Sequence, residues 1–391
     1  MDVSSSPIPT AYFDFEPDYA SAPGALLDEV LRKLDLTQAD LADRTGLSTK
    51  YVNQIIKKNV TLSAETAVRL EAVTSVPAEM WTRLEADFRA AEARAERHET
   101  LKAWTPWLSN FRLPELKHRG LISAATSSAD TVEELLRYFG ISSPESWDRV
   151  WQPSLTRFRR SPSFTPETPP TTVWLRIGQK KAAAVETRPF NARQLTEMLP
   201  SIRTLSRAEP SEALAELPKM CAQVGVAVVY AAELKGCRAS GATWWANPEK
   251  AVVLLSNRGK REDRLWFSLF HEFGHILKHA KRDTYLDQTG PDSDRPPWED
   301  LPPASGFIDD GSRDSLVERE ADDFASSALI PPSALVRLRA VNSEDAVRTL
   351  ADDLNIAPGV VAGRWQYERS DFTKFNSLRR VLPAEPFDAG P

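Results

Sequence analysis

Trp266-Phe-Ser-Leu-Phe-His271-Glu272-Phe-Gly-His275-Ile-Leu-Lys-His279 is the stretch from which the rest of the chain is read. Leu265, Leu269, Phe273, Ile276 and Leu277 recur at spacings of three and four, which predicts a helix with one apolar face. On that helix His271 and His275 sit one turn apart on the same side, so two imidazole nitrogens can meet one metal ion. Glu272 lies beside them, near enough to take a proton from a metal-bound water. Zinc suits the set because it accepts neutral imidazole and keeps a position open for water in catalytic sites. An H-E-x-x-H match also arises by chance. Here the chain has five His in all, and three of them fall between 271 and 279.

A third ligand is expected downstream, in Glu318-Arg-Glu320-Ala-Asp322-Asp-Phe-Ala-Ser-Ser-Ala-Leu-Ile-Pro. Glu318 shares a helical face with Ala321, Asp322, Ala325 and Leu329, small and apolar enough to pack against another helix. Glu320 falls on a different side, with Asp323 and Ser327. The spacing therefore selects Glu318 as ligand and Asp322, one turn on, as the acceptor for a His ring N–H. Together, H-E-F-G-H-I-L-K-H and E-R-E-A-D-D-F-A-S-S-A-L-I-P resemble the ImmA/IrrE family of zinc metallopeptidases. Members read H-E-x-G-H, then E-x-E-A-N-x-F-A, then L-x-P. Asp322 stands where Asn is common, and the 42 residues between His275 and Glu318 exceed what the simplest members need. The resemblance implies a zincin-like α+β domain, a bound Zn2+ and peptide hydrolysis with Glu272 as the general base. His279 and Tyr285 are the candidate donors to the oxyanion, His279 by its place along the helix and Tyr285 from the following loop.

The other informative stretch begins at Leu36. Leu36-Thr37-Gln38-Ala-Asp-Leu41-Ala42-Asp-Arg44-Thr45-Gly46-Leu47-Ser48-Thr49-Lys50-Tyr51-Val52-Asn53-Gln54-Ile55-Ile56 has the pattern of a helix-turn-helix. Ala42 is small where two helices must approach, and Gly46 can take the left-handed conformation that ends the first. Thr37 and Ser48 suit the two N-caps. Leu47, Val52 and Ile55 point to the core. This stretch resembles the XRE group of Cro-type repressors, and its continuation to Trp81, Leu84 and Phe88 looks like HigA-type antitoxins. The second helix, Ser48 to Lys58, is expected to enter the major groove of DNA. Gln38, Ser48, Thr49, Lys50, Asn53, Gln54, Lys57 and Lys58 are the candidate contacts: Asn and Gln pair with adenine, and Lys reaches guanine or phosphate. From Arg44 to Lys58 there are four basic residues and no acidic one. The bland alternative is a module used only for dimerisation or protein binding.

Elsewhere the reading is coarser. Residues 1–23 are expected to be a flexible arm, 24–98 the helix-turn-helix domain and 99–170 a helical linker region rich in packing aromatics. His98 and His118 have no partner at ligand spacing and read as surface residues. The peptidase part is placed at 171–382, with strands at 225–230, 239–245 and 251–255. Residues 172–177 are left between strand and helix. Ser240, Gly241, Ala242, Thr243 and Trp244 are the candidate edge strand for binding a substrate backbone. The Asp- and Pro-rich stretch 280–315 reads as a long loop and a candidate lid, and 383–391 as a disordered tail. Overall this predicts an α+β protein: an all-α helix-turn-helix domain, a helical linker region and an α+β peptidase domain.

Composition sets the outer limits. With 391 residues the chain is long enough for two or three domains. No apolar run approaches the length of a membrane span, and the N-terminus lacks the pattern of a signal peptide. Two cysteines, Cys221 and Cys237, do not make a disulfide framework and read as buried thiols. A cytoplasmic location follows. The net charge of −6 excludes a whole-molecule attraction to nucleic acid, so DNA binding needs a local basic surface.

Two functions follow as expectations. The first is a regulator, stress- or phage-related, that binds operator DNA and cuts a repressor-type protein, including a copy of itself. The second is a HigA-like antitoxin or repressor whose zinc domain senses a signal or binds a toxin without proteolysis. The intact Glu272 favours the first, since a purely structural zinc site needs no general base. Repressors of this group pair on palindromes, so a homodimer is expected, with no membrane partner.

Overall fold

A computed structural model describes residues 21–124, 127–156, 168–279, 285–288 and 313–388. The chain divides into two compact units at residue 105.

The first unit is all helix: α1 (Pro23–Lys33), α2 (Gln38–Thr45), α3 (Thr49–Ile56), α4 (Ala64–Thr74) and α5 (Ala78–Ala103). Thr37 caps α2 in a capping box with Asp40, and Gly46 ends that helix at φ 68°. Ser48 caps α3 through the Tyr51 N–H. Leu27, Leu31, Leu41, Val52, Ile55, Leu70 and Trp81 fill the core. A side chain at Gly24 would come within 2.3 Å of the Ile55 carbonyl oxygen, so α1 can lie on the end of α3 only because that position has no Cβ. Residues 1–20, most of the expected arm, lie outside the described residues.

The second unit begins with α6 (Leu113–His118), α7 (Ser128–Phe139), α8 (Pro144–Thr156) and α9 (Thr168–Ala184). The undecided segment 172–177 is thus helical. The stretch read as a linker, 99–170, straddles the break between the units. Its part beyond residue 105 packs as core around Trp107, Phe111, Phe139, Trp147 and Trp151, whose rings meet mostly edge to face. Polar anchors tie it and α9 to the segment after the first strand. Arg119 donates to the carbonyls of Ala232 and Glu233, and Trp174 Nε1 to that of Ala231.

Two further helices, α10 (Ala192–Thr204) and α11 (Pro210–Ala222), lead to a sheet of β1 (Val226–Tyr230), β2 (Ala239–Asn247), β3 (Lys250–Leu255) and β4 (Tyr285–Gln288). The strand order is β1-β3-β2-β4. β1 and β3 run parallel, and β2 pairs antiparallel with both β3 and β4. Alternation divides the faces. Val226, Val228, Tyr230, Ala251, Val253 and Leu255 share the main core with α12 (Glu262–Lys278), while Leu254 turns the other way onto Gly178 of α9.

β4 corrects the expectation for residues 240–244. β2 is not an edge: its outer side at Gly241, Ala242 and Thr243 is paired with Asp287, Leu286 and Tyr285 of the same chain. The proposed loop 280–315 therefore contributes a strand, and its last residues open α13 (Arg313–Leu329); residues 280–284 and 289–312 lie outside the described residues.

The chain closes with α14 (Leu335–Ala340), α15 (Glu344–Leu354), α16 (Pro358–Arg369) and α17 (Glu385–Asp388). Here too the structure departs from expectation. Residues 383–388 are docked rather than disordered: Phe387 is buried against the Tyr230 ring, and its carbonyl accepts from the Ala232 N–H. The apolar surface a Phe removes from water explains the docking. Just before it, Arg379 and Arg380 bind Asp263 and Glu262, the buried acids that begin α12. Gly359 and Gly363 of α16 leave room for those two carboxylates. Burial pushes the Glu262 pKa up, and Arg380 works against the shift. Among the described residues no helix is long and apolar enough to cross a membrane. Cys221 and Cys237 are both free and buried.

Candidate functional site

α12 is buried from Glu262 to Ile276, so its histidines are held by the core on all sides. α13 crosses it where Gly274 meets Ala321; a Cβ on Gly274 would lie 3.0 Å from the Ala321 Cα. This close approach lets a side chain as short as Glu reach across.

Glu318 Oε2 lies 3.3 Å from His271 Nε2 and 3.2 Å from His275 Nε2, and the two Nε2 atoms are 2.9 Å apart. The three residues are the group of His, Cys, Asp and Glu that could hold a metal ion among the described residues. The set fits zinc in chemistry and in spacing. Ligand atoms on a tetrahedron with bonds of about 2.0–2.1 Å lie about 3.3–3.4 Å from one another. The two edges to Glu318 match that figure, and the edge between the imidazoles is a little shorter.

The outer nitrogens are held as well. His271 Nδ1 lies 2.7 Å from Asp322 Oδ1, one turn along α13 from Glu318. His275 Nδ1 lies 3.0 Å from His279 Nδ1, whose own Nε2 is 3.1 Å from Glu320 Oε2. His279 is therefore not placed to serve as a donor to substrate, as the sequence suggested: both its nitrogens face protein partners. It caps α12 in an extended conformation, φ −115° and ψ 167°, which carries it out of the helical register. Burial pushes its pKa down, against the pull of Glu320. Glu320, set aside in the sequence because it lies off the Glu318 face, reaches the end of α12 instead. Tyr285, the other expected donor, opens β4 with its backbone paired to Thr243; its side chain lies outside the described residues.

Glu272 is fully buried and turns toward β2. A Cβ on Gly241 would fall 2.5 Å from Glu272 Oε1, so a glycine there makes the room for the carboxylate. Gly241 and Thr243 pair with Leu255 and Val253, which puts them on the face toward α12. Ser240, Ala242 and Trp244 alternate to the other face. Thr243 Oγ1 is buried on the α12 side, with no hydrogen-bond partner among the described residues. Sequence spacing offers Gly241 only as part of a substrate strand, Gly274 only within H-E-x-G-H and Glu320 only as a ligand weighed against Glu318. The room Gly241 leaves for Glu272, the close approach at Gly274 and the reach of Glu320 to His279 are contacts that spacing does not give.

In the first unit, Ser48, Thr49, Lys50, Lys57 and Lys58 are exposed, and Gln38, Asn53 and Gln54 are half-buried. Asn53 Nδ2 donates to Gln38 Oε1 at 3.0 Å, joining the starts of α2 and the middle of α3. α3 ends at Ile56, before the expected boundary. Lys57 is its C-cap, and Lys58 takes φ 64° with its ammonium over the Phe88 ring.

Residues 27–81 match the helix-turn-helix family model, and residues 221–297 match that of the IrrE N-terminal-like domain, a peptidase family. The second match takes in His271, Glu272 and His275 and stops before Glu318. The chain thus joins a helix-turn-helix domain to an IrrE-like peptidase domain. No curated protein matches the chain. Among solved structures it is similar to the Pseudomonas aeruginosa antitoxin HigA with the higBA promoter, at 29% identity over 22% of this chain and 94% of that one, TM-score 0.21. A second P. aeruginosa protein, solved with its operator DNA, is 32% identical over 20% of this chain and 85% of that one, TM-score 0.19. A HigA-family addiction-module antidote from Coxiella burnetii is 25% identical over 22% and 92%, TM-score 0.20.

Proposed function

We propose that this chain is a DNA-binding regulator and a zinc-dependent endopeptidase whose substrate is a repressor-type protein of its own helix-turn-helix class, a second copy of itself included. The observation that carries the reading is the meeting of His271, His275 and Glu318 from two helices, with the Glu272 carboxylate buried beside them. A structural metal site has no use for that carboxylate. Zinc held by the three residues supplies a water acidified to about neutral pH and electrophilic assistance to the scissile carbonyl. The protein does the rest. Glu272 takes the proton of the attacking water at its carboxylate and passes it to the leaving amine. Asp322 keeps the His271 ring in place, and the buried walls of α12 and β2 exclude bulk solvent. An extended substrate that binds by strand addition pairs with the outer side of β4, which has no strand beside it among the described residues, since β2 is already occupied.

The DNA arm rests on the match of residues 27–81 and on the exposed Thr49 and Lys50 at the start of α3, with Asn53 and Gln54 half-buried behind them. The promoter and operator in two of the similar structures agree with it.

The test is to incubate the zinc-loaded protein with helix-turn-helix repressors from the same cell, beside a Glu272→Gln control. Cleavage by the wild type and its loss, by about 10²-fold or more, in the control is expected. Undiminished cleavage by the control refutes the mechanism. DNA binding with no cleavage of any repressor leaves a regulator whose metal centre serves sensing.

A further inference from the structure

We infer that Glu320 and His279 act as positioning residues, a two-step relay that fixes which nitrogen of His275 carries the proton and so presents its Nε2 lone pair to the metal. The inference rests on reading His271, His275 and Glu318 as a metal centre. It assigns work to two residues that hold no metal themselves.

The argument is one of proton counting. A neutral imidazole carries one N–H, and a metal-ligating nitrogen carries none. His275 Nε2 is the nitrogen that meets Glu318 Oε2 and His271 Nε2, so the proton of His275 belongs on Nδ1. Its partner there is another imidazole nitrogen, His279 Nδ1, at 3.0 Å. One proton serves that contact, and His275 supplies it, so His279 Nδ1 accepts and the proton of His279 belongs on Nε2. That nitrogen faces Glu320 Oε2 at 3.1 Å, and a carboxylate can only accept. Each assignment forces the next. The opposite tautomer of His279 would set two lone pairs against each other at Glu320 and two protons at His275.

The two ligating histidines are therefore oriented differently. His271 meets a carboxylate directly, at Asp322. His275 meets one through an intervening ring. Both carboxylates come from α13, the helix that also supplies Glu318. One element thus provides the third ligand and orients the other two, and α13 cannot shift along α12 without disturbing all three.

A competition titration of zinc against a chromophoric chelator, on the full chain, tests this. His279→Ala is expected to weaken zinc binding by about 10–100-fold, the usual effect of losing the partner of a ligating His. Glu320→Ala should weaken it by about 10-fold. The double variant should be no weaker than His279→Ala, within twofold, because Glu320 acts only through that ring. His279→Gln, whose amide oxygen can accept the same bond, should recover most of the affinity. Imidazole 15N spectra of the zinc-loaded protein should show the His279 proton on Nε2. Glu320 is largely exposed at the surface of α13, so its variant keeps the test open if His279→Ala does not fold. Affinity within twofold of wild type for Glu320→Ala, or effects of the two variants that multiply, overturns the relay. A wild type that takes up no zinc gives a different result and overturns the metal centre itself.

Discussion

At the scale of single residues, the centre depends on a position that lacks a side chain. Gly241 leaves the volume into which Glu272 fits. Gly241→Ala is expected to displace that carboxylate and to lower repressor cleavage by about 10²-fold, the low end of what a positioned base contributes. Bound zinc, measured by elemental analysis, should be unchanged, since no ligand moves. Full cleavage by this variant would contradict the placement of the base. Thr243, two residues along, offers an opposite kind of check. Its buried hydroxyl has no hydrogen-bond partner among the described residues, and an orphaned hydroxyl costs a fold about 1–3 kcal/mol. Thr243→Val removes the orphan group at nearly constant volume, so its urea midpoint should equal or exceed that of the wild type. A clear fall would mean that the hydroxyl is satisfied in solution.

At the scale of elements, α12 and α13 approach most closely where Gly274 meets Ala321. Gly274→Val forces the helices apart, and a ligand set spaced for bonds of about 2 Å does not tolerate a shift of that size. Loss of most bound zinc with little change in far-UV circular dichroism is expected; retained zinc would argue against this contact as the spacer. The N-terminus of α12 is fixed separately. Asp263 is buried with Arg379, so Arg379→Ala leaves a carboxylate alone in the core at a cost of about 3–5 kcal/mol in urea unfolding. A loss below about 1 kcal/mol would show that water reaches Asp263. On α3, Lys50→Ala should weaken binding to operator DNA selected by the wild-type protein and reduce the salt slope by about one. An unchanged slope would remove Lys50 from the DNA face.

Much at this scale was legible because it is periodic. The caps at Thr37 and Ser48, the left-handed Gly46 and the shared face of Glu318 and Asp322 all follow from local rules of spacing and conformation. What escaped depends on partners far away in the chain. β4 is four residues within an Asp- and Pro-rich stretch, and only pairing with β2 makes it a strand. His279 follows the helix closely in sequence, but it leaves α12 in an extended conformation, which swings its ring between His275 and Glu320. Phe387 stands among Pro, Ala and Asp, and nothing nearby announces the Tyr230 ring it covers.

At the scale of the molecule, one chain carries two compact units, and the proposed function gives each its own ligand. Each ligand should therefore raise the unfolding temperature of its own unit. A ligand at a hundred times its dissociation constant adds about 2.7 kcal/mol to what it binds. In calorimetry, chelation should lower one transition and operator DNA raise another. A single transition that responds equally to both would show that the units unfold together.

The claim on which the account turns is that one metal ion is shared by α12 and α13. Elemental analysis of the purified wild type beside Glu318→Ala tests it most directly. One zinc per chain is predicted for the wild type, and little or none for the variant although both histidines remain. A wild type without metal, or a Glu318→Ala protein that keeps its full complement, would contradict it.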